Sequence, residues 1–183
     1  MIYGIGVRSC TPQGAGITRK EFIAPAPGDE RHTCSSSGAP CILVAEDNQA
    51  DVYLIRAALA EHKIALPLQV VADGAEVMQV IGECESLPEN PLALVILDLN
   101  LPRHDGIEIL ERLHTNPRMA AVPVVVLTSS DSPTDRTAAK QLGAVRFLRK
   151  PSSLEQFLNL GAIFKDILRK DDTPSGAIPE GGE

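Results

Sequence analysis

Short aliphatic runs alternate along the chain with segments whose apolar residues recur every three or four positions. The runs at residues 41–45 (Cys-Ile-Leu-Val-Ala), 94–97 (Leu-Val-Ile-Leu) and 124–127 (Val-Val-Val-Leu) read as buried strands, and shorter ones at 68–71 and 147–148 read the same way. Between them Asn48 can cap a helix carrying Val52, Ile55 and Leu59. Asp73-Gly74 opens a second through Val77, Met78 and Ile81, and Asp105-Gly106 a third with Ile107, Leu110 and Leu113. Ser132-Pro133 supplies a cap and a first-turn proline for a fourth helix with Ala138, Ala139 and Leu142, which Gly143 ends. After Lys150-Pro151, either Ser152 with Glu155 or Ser153 with Gln156 forms a capping box for a last helix reaching about Arg169. Strict alternation of strand and helix predicts an α/β fold, a parallel sheet with helices on both faces.

The last helix carries more apolar residues than one stripe needs. Leu154, Phe157, Leu158, Phe164 and Leu168 make a stripe facing the sheet, and Leu160, Ile163 and Ile167 fall off it. Those three are either half covered by neighbouring loops or form a subunit interface, and the second reading predicts a homodimer.

The ends of the chain lack this patterning. Residues 1–39 are rich in Gly, Pro, Ser and Thr, with Ala24-Pro25-Ala26-Pro27-Gly28 and Ser35-Ser36-Ser37-Gly38 reading as linker. Residues 171–183 are polar and Gly/Pro-rich. The expected organisation is a disordered extension over 1–39, one domain over 40–170 and a disordered tail over 171–183. Too little chain follows Arg169 for a DNA-binding module. The first twenty residues hold Arg8, Arg19 and Lys20 and no acid, but their glycines and prolines oppose the amphipathic helix of a transit peptide.

Composition narrows the function classes. Hydrophobic residues make up 44% of the chain and aromatics 3%, with no Trp, so aliphatic side chains must fill the core. A net charge of −7 opposes non-specific binding to nucleic acid or to an anionic membrane surface. No apolar stretch reaches spanning length. Cys10, Cys34, Cys41 and Cys84 have no C-x-x-C spacing and read as free thiols of a reducing, cytoplasmic compartment.

Chemistry gathers where the strands end. Glu46-Asp47 follows the first strand, Asp98 the third, Thr128 the fourth and Lys150 the fifth. Parallel strands bring these ends to one edge, where open α/β sheets hold their ligands. Adjacent acids after an apolar run repel each other unless a cation offsets them, and Mg2+ suits an all-oxygen set. Asp47 and Asp98 are assigned as direct ligands, with the Asn100 carbonyl as a third and Glu46 reaching the ion through water. Asp98, expected to stand exposed at its strand end, is the candidate nucleophile toward a phosphoryl group. The Thr128 hydroxyl can donate to a phosphoryl oxygen, and the Lys150 ammonium can neutralise the charge developing there. Each residue alone has an ordinary alternative. Asp98 could be a turn aspartate, Glu46-Asp47 or Asp51 a partner for a helix dipole, Thr128 a turn residue, and Lys150 a solvated lysine beside Arg146 and Arg149. Their convergence carries the reading. Gly4-Ile5-Gly6 and Gly14-Ala15-Gly16 are incomplete dinucleotide fingerprints that follow no strand, and the histidines are not spaced as metal ligands.

Residues 41–169 resemble a response-regulator receiver domain of two-component signalling. The likeness rests on Glu46-Asp47-Asn48, Asp98, Pro102 with Asp105-Gly106, Thr128, Leu142-Gly143-Ala144 and Lys150-Pro151. It implies a five-stranded sheet of order 2-1-3-4-5 and a magnesium ion on the acidic pair. It also implies phosphate transfer from a sensor histidine kinase to Asp98, with Thr128 and Lys150 binding the phosphoryl group. An aromatic three residues before the lysine, here Phe147 where many members have tyrosine, would swing inward on phosphorylation. The stretches 46–52 and 98–106, with the long loop before the third strand, further resemble single-domain regulators paired with phytochrome kinases, although Gln49 stands where many of those have proline. Two other classes share the architecture. A phosphatase with an aspartyl nucleophile usually wants a second acid two residues on, where this chain has Asn100. A flavin-binding electron carrier needs a Ser/Thr-rich phosphate loop after the first strand, which is missing here.

Overall fold

The structure, a computed structural model, describes residues 40–171. The extension expected over 1–39 and the tail beyond 171 lie outside the described residues. Ten elements follow in strict alternation: β1 (Cys41–Ala45), α1 (Gln49–Glu61), β2 (Leu68–Val71), α2 (Gly74–Glu85), β3 (Leu92–Leu97), α3 (Gly106–Thr115), β4 (Val124–Thr128), α4 (Pro133–Gln141), β5 (Arg146–Arg149) and α5 (Leu154–Asp171). Every neighbouring strand pair is parallel and the order is β2-β1-β3-β4-β5, as expected.

The caps named from the sequence start the helices. Side chains of Asn48, Asp73, Asp105 and Ser132 each accept a backbone N–H of the following turn. At α5 Ser153 does so, through Gln156 N–H at 3.3 Å, which settles the choice against Ser152.

The sheet divides the core by strand parity. Leu43, Ala45, Val95, Leu97, Val124 and Val126 pack with α2 and α3, joined by Ala139 of α4. Ile42, Val44, Leu94, Ile96, Val125 and Leu127 pack with α1 and α5. In α3 the buried trio is Ile109, Leu110 and Leu113, and Ile107 is only partly covered.

The stripe on α5 differs from the expected one. Phe157, Leu160, Phe164 and Ile167 are buried, Leu158, Ile163 and Leu168 are partly covered, and Leu154 is 58% exposed. The inward face therefore follows the 3-4-3 spacing of 157, 160, 164 and 167, set by contact with α1 as well as the sheet. Leu160 and Ile167 belong to the core, so the self-complementary patch expected from them and Ile163 is not on the surface. The two helices approach closely at Gly161, where a Cβ would come within 2.2 Å of the Ala58 carbonyl oxygen. Lys165 Nζ also donates to the His62 carbonyl at 3.0 Å, satisfying the end of α1.

The cysteine expectation needs correction. Cys41 is disulfide-bonded, while Cys84 is a free, buried thiol; Cys10 and Cys34 lie outside the described residues. A disulfide needs proximity in the fold rather than a C-x-x-C spacing, so the sequence pattern could not exclude it. No helix among the described residues is long and apolar enough to cross a membrane.

Candidate phosphoacceptor and metal site

The carboxyl ends of β1, β3, β4 and β5 deliver the expected residues to one edge. Glu46 and Asp47 follow β1, Asp98 follows β3, Thr128 closes β4, and Lys150 follows β5. Backbone hydrogen bonds lock these ends in register: Asp98 N–H donates to the Ala45 carbonyl (3.0 Å) and Lys150 N–H to the Thr128 carbonyl (2.9 Å).

Asp98 is buried, with 4% exposure, contrary to the expectation that it stands exposed. A buried carboxylate is tolerable only when its oxygens are satisfied. Here Oδ2 accepts from Lys150 Nζ at 2.6 Å, and Oδ1 accepts from Asn100 N–H at 3.0 Å. Lys150 is thus no solvated lysine. Its side chain is 12% exposed and also bonds Glu46 Oε2 at 2.7 Å and Asp51 Oδ2 at 2.9 Å. Burial pushes the ammonium down, but hydrogen bonds to Asp51, Asp98 and Glu46 outweigh it and hold the group above the ordinary lysine range. Lys150 is charged throughout the neutral range. Burial raises the Glu46 carboxyl despite Lys150 and the Asn48 N–H, which pull the other way.

Glu46, Asp47 and Asp98 can each turn one carboxylate oxygen so that all lie within 4.8 Å of one another. Hard oxygen donors this close, two of them buried, fit a small divalent cation. Asp47, exposed, is the member facing solvent.

Asn100 joins the halves of the site. Its N–H binds Asp98, and its Nδ2 donates to Thr128 Oγ1 (3.2 Å) and Ser129 Oγ (3.4 Å). Thr128 is fully buried, and Oγ1 also accepts Ser130 N–H. Phe147 packs on the α2–α3 side of the core, partly buried, with the Arg136 guanidinium 4.8 Å from its ring centroid. The loop after Asp98 is held by Gly106, whose N–H donates to Leu99 O; a Cβ there would meet Leu99 Cα at 2.4 Å.

The structure thus brings Glu46, Asp47, Asp98, Asn100, Thr128 and Lys150, all named from the sequence, to one edge of the sheet. Sequence reasoning passed over Asp51, read only as a possible partner for the helix dipole. The available signal was its place in the first turn of α1, a few residues after the Glu46-Asp47 pair that follows β1.

The chain is similar to known proteins in sequence and in fold. The family model for the response regulator receiver domain matches residues 42–160. Response regulator Rcp1 of Synechocystis sp. is 35% identical over 122 residues, covering 65% of this chain and 82% of Rcp1. Among solved structures, the phosphorylated cyanobacterial phytochrome response regulator RcpA aligns with a TM-score of 0.65 at 31% identity, over 75% of this chain and 99% of that one. The Mn(2+)-bound form of response regulator Rcp1 gives 0.62 at 32%, over 76% and 99%. The chain spans about half (51%) of a longer relative, the transcriptional regulatory protein GltR of Pseudomonas aeruginosa, at 31% identity. With the 2-1-3-4-5 sheet and the acid, hydroxyl and ammonium at its carboxyl edge, these matches establish that the chain belongs to the response-regulator receiver domain family of two-component signalling, and that it is similar to phytochrome response regulators.

Proposed function

We propose that Asp98 accepts a phosphoryl group from the phosphohistidine of a sensor histidine kinase. The N–P bond of the donor breaks as a bond forms from a carboxylate oxygen of Asp98 to phosphorus, giving an acyl phosphate. The observation that carries this is the Asp98 carboxylate itself, buried at a strand end with Lys150 on one oxygen and Asn100 N–H on the other, beside Glu46 and Asp47. Asp47, Asp98 and the Asn100 carbonyl, with Glu46 through water, would hold Mg2+, which would supply charge neutralisation for the transferring group. Lys150 and Thr128 take the phosphoryl oxygens. Phe147 follows Thr128 inward, so that phosphate stabilises one of two conformations of the β4–β5 edge.

The likeness to the cyanobacterial phytochrome response regulator RcpA, and to the bacteriophytochrome response regulator RtBRR, which aligns with a TM-score of 0.59 at 29% identity, supports a bacteriophytochrome as the kinase. Such a kinase places the chain in the cytoplasm. The net charge of −7 sets it against nucleic acid as a direct target. A homodimer through α5 retains only Ile163 of its three expected residues, and that one is partly covered, so the proposal does not include it.

Asp98→Asn is expected to keep the fold and abolish base-labile phosphate incorporation from acetyl phosphate with magnesium. Incorporation at the wild-type level would remove Asp98 from the role.

A further inference from the structure

Lys150 has three N–H donors, and the structure assigns each a separate carboxylate: Glu46 at 2.7 Å, Asp98 at 2.6 Å and Asp51 at 2.9 Å. Two of these acids, Glu46 and Asp98, also belong to the trio whose oxygens converge on one point. Asp51 does not. A dication among the converging oxygens draws Glu46 and Asp98 toward itself and repels the ammonium. Asp51 is then the one partner of Lys150 that the cation does not claim.

The setting of Asp51 suits that part. It lies in the first turn of α1, where its side chain is 18% exposed. Asn48 Nδ2 donates to the same Oδ2 at 3.3 Å, while Asn48 N–H donates to Glu46 Oε1 at 3.1 Å. Glu46, Asn48, Asp51 and Lys150 therefore close a ring of hydrogen bonds. The ring ties the ammonium to the start of α1, a helix anchored against α5, rather than to the loop bearing Asp98.

We infer that Asp51 is a positioning residue: it keeps the Lys150 ammonium in the site, aimed at Asp98, when a divalent cation occupies the neighbouring carboxylates. This rests on the phosphoacceptor reading above and adds a named residue to it. Without Asp51, cation and lysine compete for the same two acids, and the lysine is displaced. With it, both are held, and the phosphoryl group on Asp98 meets an ammonium already in place.

The test uses the full chain and two variants, Asp51→Asn and Asp51→Glu. Asparagine keeps an oxygen for Asn48, so the first turn of α1 is preserved while the charge on Lys150 is lost. The primary readout is the nitrogen-15 ammonium signal of Lys150, visible only while the group is held out of exchange with water. It is recorded in EDTA and then in saturating magnesium chloride, with no phosphoryl group present. The wild type is expected to keep the signal in both. Asp51→Asn should keep it in EDTA and lose it with magnesium, and Asp51→Glu should restore at least part of it. Beryllium fluoride with magnesium, a phosphoryl mimic, should bind Asp51→Asn roughly five-fold more weakly.

A signal that survives magnesium in Asp51→Asn overturns the inference, as does one that magnesium abolishes in the wild type. A change in melting temperature alone, with the ammonium signal unchanged, assigns Asp51 to the helix dipole and equally overturns it. Because the magnesium arm needs no phosphoryl group, it still reads if Asp98 proves not to be the acceptor. That failure would show instead as absent labelling of the wild type by acetyl phosphate.

Discussion

The α1–α5 pair and the α4–β5 edge are built to different standards. On one side α1 and α5 interlock through Ile55, Leu59, Phe157, Leu160, Phe164 and Ile167, all buried, with Gly161 allowing the close approach to Ala58. On the other, α4 buries a single residue, Ala139, and none of the four residues of β5 is fully buried. A region with few buried apolar contacts opens or shifts at low cost, whereas a densely packed one resists. The site straddles the boundary. Glu46 and Asp51 lie at the start of the well-packed side, Thr128 and Phe147 on the lightly packed edge, and Lys150 reaches from the edge to the anchored acids. A change of charge at Asp98 therefore pulls on an edge with little to hold it, against a helix pair that stays put.

The largest effect should come from the anchored side. Phe164→Ala removes a fully buried ring between α5 and the sheet and should cost about 3–5 kcal/mol. Leu142→Ala, at the half-buried end of α4, should cost well under half of that. Urea unfolding of both variants measures the contrast, and equal losses would erase the distinction between the pair and the edge.

How much of this was legible in the sequence follows the same divide. The strands could be read because aliphatic runs buried on both faces leave little alternative, and the helix starts because Asn48, Asp73, Asp105 and Ser132 are caps with a local mechanism. The site residues could be read because strand ends in a parallel sheet converge whatever the details of packing. The face of α5 could not. Its apolar residues surround much of the helix, and the choice of Leu160 and Ile167 over Leu154 depends on where α1 crosses, a tertiary fact. The burial of Asp98 was missed because it depends on Lys150 lying over it, 52 residues on. Asp51 was missed for the same reason, since an acid in the first turn of a helix is ordinary until a distant ammonium is placed against it.

A smaller effect separates electrostatic from packing control at the boundary. Burial raises the Glu46 carboxyl above its ordinary value of 4.5. A carboxyl raised in the folded state favours folding below its unfolded value, and that contribution is lost as pH rises through the folded one. In the metal-free protein at neutral pH, the charged Glu46 therefore holds stability back. Glu46→Gln should melt higher than the wild type in EDTA at pH 7.5, and the advantage should shrink toward pH 4.5 as Glu46 takes up its proton. An advantage that is constant with pH would make the effect one of packing rather than charge.

The smallest stability effect, and the one that bears most directly on the switch, is expected at Arg136. Its guanidinium lies over the Phe147 ring from the exposed face of α4, an arrangement worth about 0.5–1 kcal/mol at such a site. That is small against the loss expected at Phe164, but it acts on an edge that has little else to fix the ring. Phe147 has no hydroxyl with which to bond a backbone in either position, so contact with Arg136 and the α2–α3 core must set its resting place. Arg136→Ala should lower stability by less than about 1 kcal/mol while freeing Phe147 to sample the inward position without phosphate. Amide spectra of the unphosphorylated variant should then move, at Phe147 and Thr128, part of the way along the path that beryllium fluoride drives in the wild type. Spectra that stay at the wild-type positions would mean that the β4–β5 core contacts alone hold the ring, and that the lightly packed edge is stiffer than its burial suggests.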